Sequence, residues 1–291
     1  MDFVCEPQAT YETGITRSTV IQGDAELLLR RLPSNFFQCC VTSPPYWGLR
    51  DYRADGQIGD EDDPDDYILR LVAVFEQIRR VLSDDGTLWL NIGDSYTSGN
   101  RGYRAPDQKN PVRAMSYRPK TPDGLKPKDL VGIPWRLAFA LQKAGWYLRS
   151  DIIWEKPNCM PESVKDRPTR CHEYVFLLSK SLRYFYNNQS VREENGRNRR
   201  TVWSIPTEPF SGAHFATFPT KLIEPCILAG SKPGDWILDP FFGSGTVGVV
   251  CEQQQRNYVG IELNTEYVKL AVERIRKTER LLFTYDMAVI K

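Results

Sequence analysis

The chain has 291 residues, of which 41% are apolar and 26% are charged, and its formal net charge is +1. These values are typical of a globular protein with one large domain, or one domain with an insertion. No stretch approaches the ~20 consecutive apolar residues of a membrane span, and the first residues lack the basic-then-apolar order of a secretion signal. We therefore expect a cytoplasmic protein without membrane contact.

Hydrophobic periodicity predicts strands and helices that alternate along the chain. The predicted strands cover residues 18–23, 36–41, 87–92, 147–154, 174–178, 183–186, 235–239 and 258–262. The predicted helices cover residues 24–32, 67–82, 134–144, 221–229, 246–254 and 265–281. The strands 174–178 and 183–186 are expected to form an antiparallel pair. This alternation indicates an α/β sheet that binds ligands at the carboxyl ends of its strands.

One segment, 95–127, breaks the periodic pattern and is rich in Gly, Pro, Arg, Lys and Tyr. A stretch this long without regular structure is typical of a functional flap, and we predict a mobile insertion that orders on a partner. Its charge supports phosphate binding and a solvated loop about equally. The basic residues of this region are Arg101, Arg104, Lys109, Arg113, Arg118, Lys120, Lys126 and Lys128. A second basic cluster consists of Arg192, Arg197, Arg199 and Arg200.

The seven cysteines show no metal-ligand spacing, and the chain has only two histidines. An odd number of cysteines in such a chain is typical of reduced thiols that pack as small apolar groups. We therefore predict neither a disulfide framework nor a metal site.

A glycine-rich turn near the C-terminus has the form of a cofactor loop. Gly243, Ser244 and Gly245 join a predicted strand to a helix, so the backbone can approach a ligand and the helix offers free N–H groups. Glu262 ends the next strand, where a carboxylate can accept both ribose hydroxyls. The turn is neither Gly-x-Gly-x-x-Gly nor a phosphate loop, so S-adenosylmethionine fits better than NAD or ATP. The alternative is a plain strand-to-helix turn.

The second motif is Thr42-Ser43-Pro44-Pro45-Tyr46, at the end of a buried strand. Two prolines fix the backbone and leave carbonyl acceptors without neighbouring N–H donors. The Ser43 hydroxyl and the Pro44 carbonyl can together accept both N–H bonds of an exocyclic amine, while Tyr46 stacks on the ring. Such a ring must first leave the duplex, which stacking partly offsets. Seen alone, the segment is better explained as a Pro-Pro turn that ends a strand, and only its combination with the glycine loop favours the functional interpretation.

Along the chain, the Ser-Pro-Pro-Tyr segment comes first and the glycine turn last. The two motifs in this sequence order resemble those of the β-group amino-methylating DNA methyltransferases, whose catalytic motif precedes the glycine loop. The Ser-Pro-Pro-Tyr form is typical of cytosine-N4 enzymes, whereas relatives with Asp at the first position usually methylate adenine N6. The resemblance implies a circularly permuted Rossmann-like fold dependent on S-adenosylmethionine, with a seven-stranded, mostly parallel sheet. It also implies one methyltransferase domain over residues 1–291, with a small target-recognition region at 158–210.

The resemblance carries three groups of residues onto this chain, and none of them holds a metal. The catalytic residues implied are Ser43, Pro44, Pro45 and Tyr46. The cofactor-binding residues implied are Asp24, Ala25, Thr42, Phe218, Thr220, Asp239, Pro240, Phe241, Gly243, Ser244, Gly245, Thr246, Glu262 and Leu263. The residues implied for the target base and DNA are Trp47, Trp154, Lys156, Arg101, Arg104, Arg113, Arg118, Lys120, Arg199 and Arg200.

The function that the resemblance implies is site-specific methyl transfer from S-adenosylmethionine to N4 of a flipped cytosine in double-stranded DNA. The setting is a restriction–modification system or an orphan, phage-like enzyme at the nucleoid, with a restriction endonuclease or a second copy as further partners. Adenine-N6 methylation is the first alternative, and RNA amino-methylation the second. Cytosine-C5 chemistry through Cys226 is less favoured because this residue begins an apolar helical run. A small-molecule or protein methyltransferase and a non-catalytic nucleic-acid-binding protein complete the alternatives.

Overall fold

The structure is a computed structural model that describes residues 18–48, 56–97, 120–208 and 218–288. The strands are β1 (Thr19–Gln22), β2 (Phe37–Thr42), β3 (Leu82–Ile92), β4 (Tyr147–Glu155), β5 (His172–Ser179), β6 (Val202–Ser204), β7 (Trp236–Asp239) and β8 (Asn257–Glu262). The helices are α1 (Ala25–Leu29), α2 (Pro64–Val81), α3 (Ile133–Lys143), α4 (Thr220–Gly230), α5 (Thr246–Gln253) and α6 (Thr265–Ala288).

All eight strands form one mixed sheet in the order β1-β8-β7-β2-β3-β5-β4-β6. Only β5 runs against its neighbours, pairing antiparallel with both β3 and β4, while the other described pairs are parallel. The C-terminal strands β7 and β8 therefore lie between β1 and β2, which are the first strands of the chain. The carboxyl ends of β2, β3, β7 and β8 meet at one edge, together with the first residues of β5. This is the α/β, mostly parallel sheet that the sequence predicts.

Helices cover both faces of the sheet, because successive strand residues alternate between two apolar cores. Cys40, Leu88 and Leu90 face the core that also buries helices α1, α2 and α3. Cys39 and Trp89 face the opposite core, which buries helices α4, α5 and α6. Among the described residues, no helix is both long and apolar enough to cross a membrane.

Helix α2 illustrates how the local sequence sets an element. Asp63 caps the helix by accepting the Asp65 amide at 2.7 Å, and Pro64 occupies the first turn. The acidic residues of the first turn and the basic residues of the last turn both interact favourably with the helix dipole. The buried residues lie at helical spacing and face the sheet: Tyr67, Ile68, Leu71, Val74, Phe75, Ile78 and Val81.

Two predictions about the sheet and one predicted helix boundary are wrong. Within the described ranges the sheet has eight strands rather than seven, because the short β6 adds to the free edge of β4. Residues 183–186 form no strand, since both edges of β5 are already paired with β3 and β4 and leave no place for a hairpin partner. The helix predicted to reach residue 82 ends at Val81, because β3 begins at Leu82 and pairs there with Phe37.

The described ends of the predicted 95–127 insertion lie side by side. Tyr96 and Leu130 form an isolated antiparallel bridge, and the Thr97 amide donates to the Asp129 carbonyl at 2.9 Å. The Asp94 carboxylate accepts the amides of Gly132 and Ile133 at the start of α3, at 2.9 and 3.0 Å. These bonds close the base of the segment, and residues 98–119 lie outside the described part of the chain.

Candidate active site

A cavity of about 780 Å³ opens at the carboxyl edge of the sheet. Its wall combines the glycine turn after β7, the end of β8, the Ser-Pro-Pro-Tyr segment after β2 and the start of β5. We call the side near β7, β8 and β1 the cofactor end, and the side near β4 and β5 the base end. The structure thus brings the two distant sequence motifs to one cavity.

Glu262 lies at the cofactor end and is held by main-chain amides. The Gly243 amide donates to Oε2 and the Asn264 amide donates to Oε1, both at 2.8 Å. Glu262 is 9% exposed, and burial raises the pKa of its carboxyl above the usual range. Each carboxylate oxygen keeps a second lone pair for a ligand hydroxyl. Asp24 also lines this end, and its Oδ1 caps α1 by accepting the Leu27 amide.

The glycine turn itself is fixed from behind by α6. Arg274 donates from Nη1 to Ser244 Oγ at 3.0 Å and to Thr246 Oγ1 at 2.8 Å. Gly243, Ser244 and Thr246 line the cavity, but Gly245 does not. Gly245 has a φ of +77°, and an added Cβ would lie 2.9 Å from the Cβ of Ala271. The cofactor contact of Gly245 stays a prediction, and what the structure shows for this glycine is close packing against α6.

Asp239 and Thr42 form a buried pair between the two motifs. Thr42 donates to Asp239 Oδ1 at 2.7 Å, and the Phe241 amide donates to the same oxygen at 3.1 Å. Burial raises the pKa of Asp239 to about 7, and Oδ2 has no partner among the described residues. Neither residue is among those that line the cavity, and their cofactor contacts stay predictions. The pair instead joins the end of β2 to the end of β7.

Charged groups line both ends of the cavity. Among the described lining residues, the two acids Asp24 and Glu262 lie at the cofactor end, whereas the basic Lys156 and Arg170 lie at the base end among the carboxylates of Asp94, Glu162 and Glu173. Apolar and aromatic groups accompany the two acids: Ala25, Phe218, Pro240, Phe241, Ile261, Leu263 and Tyr267. Carboxylates beside apolar surface fit a cationic adenosine derivative, and they disfavour the phosphates of ATP or NAD. This donor set fits S-adenosylmethionine.

The Ser-Pro-Pro-Tyr segment lines the cavity with all four residues. Tyr67 donates to the Pro45 carbonyl at 2.7 Å, so that acceptor is occupied. Among the described residues, none donates to the Pro44 carbonyl. Ser43 Oγ donates to the Tyr46 hydroxyl oxygen at 3.4 Å. Burial raises the pKa of Tyr46 well above its usual range, with a further contribution from the charge of Glu173, so the phenol stays neutral.

Glu173, at the start of β5, is a site residue that sequence reasoning missed. Its Oε2 accepts the Tyr46 hydroxyl at 2.8 Å and Asn91 Nδ2 at 3.2 Å, and its Oε1 pairs with Lys156 Nζ. Lys156 also lies 4.2 Å from the ring centre of Trp154. The sequence signal for Glu173 is an acidic residue directly before the apolar run of a predicted strand. Its partners come from three other elements, so the sequence alone does not reveal them.

Several predicted contacts lie elsewhere. Trp47 is 5% exposed and packs in the core with Nε1 donating to the Glu61 carbonyl, so it is not available to DNA as predicted. Thr220 begins α4 and is not among the residues that line the cavity, so its cofactor contact stays a prediction. Arg199 stacks on Trp203, and Arg200 pairs with Glu193 outside the cavity. Lys120 is exposed, and the other predicted basic contacts fall outside the described residues: Arg101, Arg104, Arg113 and Arg118.

Within the described ranges, no group of three or more His, Cys, Asp or Glu side chains could hold a metal ion. The described cysteines are free, and Cys226 is fully buried in α4. Burial raises the pKa of the Cys226 thiol well above its usual range, so this residue is poorly suited to act as a thiolate nucleophile.

Solved structures with the same architecture include DNA methyltransferases. The PvuII DNA methyltransferase, cytosine-N4-specific, superposes with a TM-score of 0.69 at 20% identity and covers 90% of this chain and 91% of its own. A DNA modification methylase from Thermus thermophilus, solved with S-adenosyl-L-methionine, gives a TM-score of 0.64 at 24% identity, over 90% of this chain and 94% of its own. At these identities the likeness shows the fold.

Sequence relatives are much more similar. The type II methyltransferase M.Cfr9I of Citrobacter freundii is 68% identical over 263 residues, which cover 89% of this chain and 88% of the relative. The type II methyltransferase M.SmaI of Serratia marcescens is 60% identical over 281 residues, or 94% and 96% of the two chains. A family model for DNA methylases acting at N6 or N4 matches residues 37–273. The chain therefore belongs to the S-adenosylmethionine-dependent DNA amino-methyltransferases of the β group, the type found in restriction–modification systems.

Proposed function

We propose that this DNA methyltransferase methylates the exocyclic N4 of a cytosine flipped out of double-stranded DNA. The observation that carries the proposal is Ser43, a neutral hydroxyl at the first position of the motif, where adenine-N6 relatives usually carry an aspartate. The cytosine-N4 specificity named for the PvuII enzyme supports the same target. Relatives named as type II methyltransferases suggest a cognate restriction endonuclease as a partner.

At the cofactor end, we assign binding of the adenosine part to Glu262, Asp24 and the Gly243 turn. The Glu262 and Asp24 carboxylates accept hydroxyl donors, and Phe218 and Phe241 enclose an aromatic ring between apolar surfaces. When bound, S-adenosylmethionine supplies an electrophilic methyl group on a sulfonium. Because that group needs no activation, the protein contributes mainly the position and orientation of the two reactants.

At the base end, we assign the amine to two acceptors, Ser43 Oγ and the Pro44 carbonyl. Both N–H bonds of the cytosine amine can be held this way, which directs the nitrogen lone pair out of conjugation and toward the methyl group. Trp154 lines the same end but is only 3% exposed, with Lys156 Nζ over its ring, so we assign stacking of an unstacked base to the ring of Tyr46. Stacking partly offsets the few kcal/mol that base flipping costs.

For DNA, we assign the base-end lysine, Lys156, and the exposed basic residues outside the cavity. Lys120 and Arg200 are the exposed described members of that set, and the half-buried Arg199 lies beside them on Trp203. The segments 95–127 and 158–210 are our proposed recognition regions within one methyltransferase domain, because both adjoin the base end at Asp94 and Asn158.

The test is to incubate the protein with mixed-sequence duplex DNA and S-adenosylmethionine that carries an isotopically labelled methyl group. Nucleosides from the digested DNA are then analysed by mass spectrometry. We expect labelled N4-methylcytosine. Labelled N6-methyladenine would contradict the role given to Ser43 while leaving the family and cofactor intact, and label found only in a parallel RNA sample would contradict the DNA substrate.

A further inference from the structure

A continuous chain of polar contacts runs along the base end of the cavity. It begins at Lys156 Nζ, which pairs with Glu173 Oε1. Glu173 Oε2 accepts the Tyr46 hydroxyl at 2.8 Å, and the Tyr46 oxygen accepts Ser43 Oγ at 3.4 Å. The chain therefore links a part-buried ion pair to Ser43 of the catalytic motif.

The direction of each hydrogen bond in this chain is fixed. Asn91 donates from Nδ2 to Glu173 and to the Tyr174 carbonyl at 3.1 Å, so its Oδ1 is the atom 3.3 Å from Tyr46. The single Tyr46 proton goes to the nearer, charged Glu173 oxygen, because charge-assisted hydrogen bonds are stronger. The Tyr46 oxygen is then an acceptor for Ser43. With its proton committed to Tyr46, Ser43 turns its lone pairs to the cavity.

The chain is also held rigidly. The side chains of Lys156 and Glu173 are each only 18% exposed. Gly93 lies directly against the Tyr46 ring, and a Cβ added there would come within 2.7 Å of Tyr46 Cε2 and 3.4 Å of Glu173 Cδ. The absence of a side chain at position 93 therefore leaves the space in which Tyr46 reaches the carboxylate.

We propose that Glu173 is a positioning residue for methyl transfer, acting on Ser43 through the Tyr46 hydroxyl. This inference rests on the proposed amino-methylation. A carboxylate at the end of a hydrogen-bonded chain polarises each link, which makes the Ser43 oxygen a stronger acceptor for an amine proton. A carboxylate thereby acts on the amine through Tyr46 and Ser43, although the first position of the motif is a serine.

The same chain accounts for the proton released in the reaction. The methyl–sulfur bond of the cofactor breaks with its electron pair left on sulfur, and the amine lone pair forms the new nitrogen–carbon bond. The amine proton passes to Ser43 Oγ, the Ser43 proton to Tyr46 and the Tyr46 proton to Glu173 Oε2. The cofactor loses its positive charge and Glu173 its negative charge, so charge is balanced.

The test is a double-mutant cycle in single-turnover methyl transfer, with mixed-sequence duplex DNA and labelled S-adenosylmethionine. Tyr46→Phe removes the hydroxyl but keeps the ring, and Glu173→Gln removes the charge. We expect each change to slow transfer by about 10²-fold, and the double variant to be no slower than the slower single variant. Multiplied losses, or single variants within about twofold of wild type, would overturn the inference.

A further readout, the affinity for the cofactor measured separately from the rate, distinguishes this role from a structural one. S-adenosylmethionine affinity should be the same in wild type and both variants, and a parallel loss would overturn the inference. Glu76→Gln, on the exposed face of α2, is the matched control.

The design remains informative if one variant fails to fold. Tyr46→Phe leaves the Lys156–Glu173 pair intact, so a normal rate in this variant alone would overturn the inference. The proposed function is tested separately, by the identity of the nucleoside that wild type labels. If wild type labels no nucleoside, the proposed function fails. If wild type labels N4-methylcytosine but the two variants act independently, only the role of Glu173 fails.

Discussion

At the cofactor end of the cavity, main-chain amides of Gly243 and Asn264 hold the Glu262 carboxylate. At the base end, the Tyr46 hydroxyl is held instead by the side chains of Ser43, Asn91 and Glu173. Backbone donors persist whatever side chains the loop carries, so the cofactor end depends on the path of the chain. The base end depends on the identity of individual residues from separate elements, and single substitutions there should affect chemistry selectively.

The largest effect is expected at the base end. Ser43→Ala removes one of the two proposed acceptors for the amine, so single-turnover methyl transfer should fall by about 10²- to 10⁴-fold. Cofactor affinity, measured by equilibrium dialysis, should stay within about twofold, because Ser43 lies outside the cofactor end. Ser34→Ala, an exposed serine before the other end of β2, is the matched control. Equal losses of rate and cofactor affinity would show that the two ends are not separable.

The second prediction concerns the junction between the ends. The pKa of Asp239 rises from 3.8 to about 7 on burial, so its contribution to folding is fully present below pH 3.8 and is lost as pH rises toward 7. Wild-type stability without cofactor should therefore decline between pH 5 and pH 7 and level off above that, a loss on the order of a few kcal/mol. Asp239→Asn keeps an acceptor for Thr42 and should flatten this decline in thermal melts. Parallel curves for the two proteins would contradict the shift.

A pair of glycine substitutions tests the backbone argument at the cofactor end. Gly245→Ala combines a φ of +77° with a contact 2.9 Å from Ala271 Cβ, whereas Gly243→Ala at a φ of +51° meets nothing nearer than 3.9 Å. We expect a loss of about 2–5 kcal/mol in the free energy of unfolding for Gly245→Ala and about 1–2 kcal/mol for Gly243→Ala. Urea denaturation measures both, and equal losses would argue against close packing on α6.

The smallest of these effects is expected for Glu262→Gln, which keeps the side-chain shape. Loss of a charged acceptor should weaken cofactor binding by about 1.5–3 kcal/mol, with the methyl-transfer rate recovering at saturating cofactor. Because burial raises the pKa of Glu262, falling pH should weaken wild-type cofactor binding but leave the variant unaffected. Titration calorimetry measures both trends, with Glu266→Gln as the exposed control. A variant that binds as wild type does would remove Glu262 from the site.

The contrast between the two ends also explains what could be predicted from the sequence. The glycine turn and Glu262 lie in one strand–turn–helix–strand unit, so spacing alone brings them together. Glu173 reaches Tyr46 only because β5 inserts antiparallel beside β3, and no local pattern predicts that pairing. Trp47 follows Tyr46 directly, yet the chain turns its side chain into the core.

The strands and helices likewise divide into those that the local sequence predicts and those that depend on tertiary pairing. Long periodic elements such as α2 and β5 were predicted within a few residues, because apolar spacing and caps are local. Strand β6 is not predicted, because its three residues form a strand only through pairing with the free edge of β4. Residues 183–186 have strand-like composition but no edge to pair with. The close packing of Gly245 on Ala271 is a tertiary contact that the cofactor motif does not reveal.

The most direct test of the account is to locate the transferred methyl group on a single atom. The protein is incubated with duplex DNA whose cytosines carry ¹⁵N at N4 and with S-adenosylmethionine whose methyl carries ¹³C, and the isolated nucleosides are examined by NMR. The account predicts a one-bond coupling between the ¹³C methyl and the cytosine ¹⁵N4. A ¹³C methyl in the nucleosides without that coupling would contradict it.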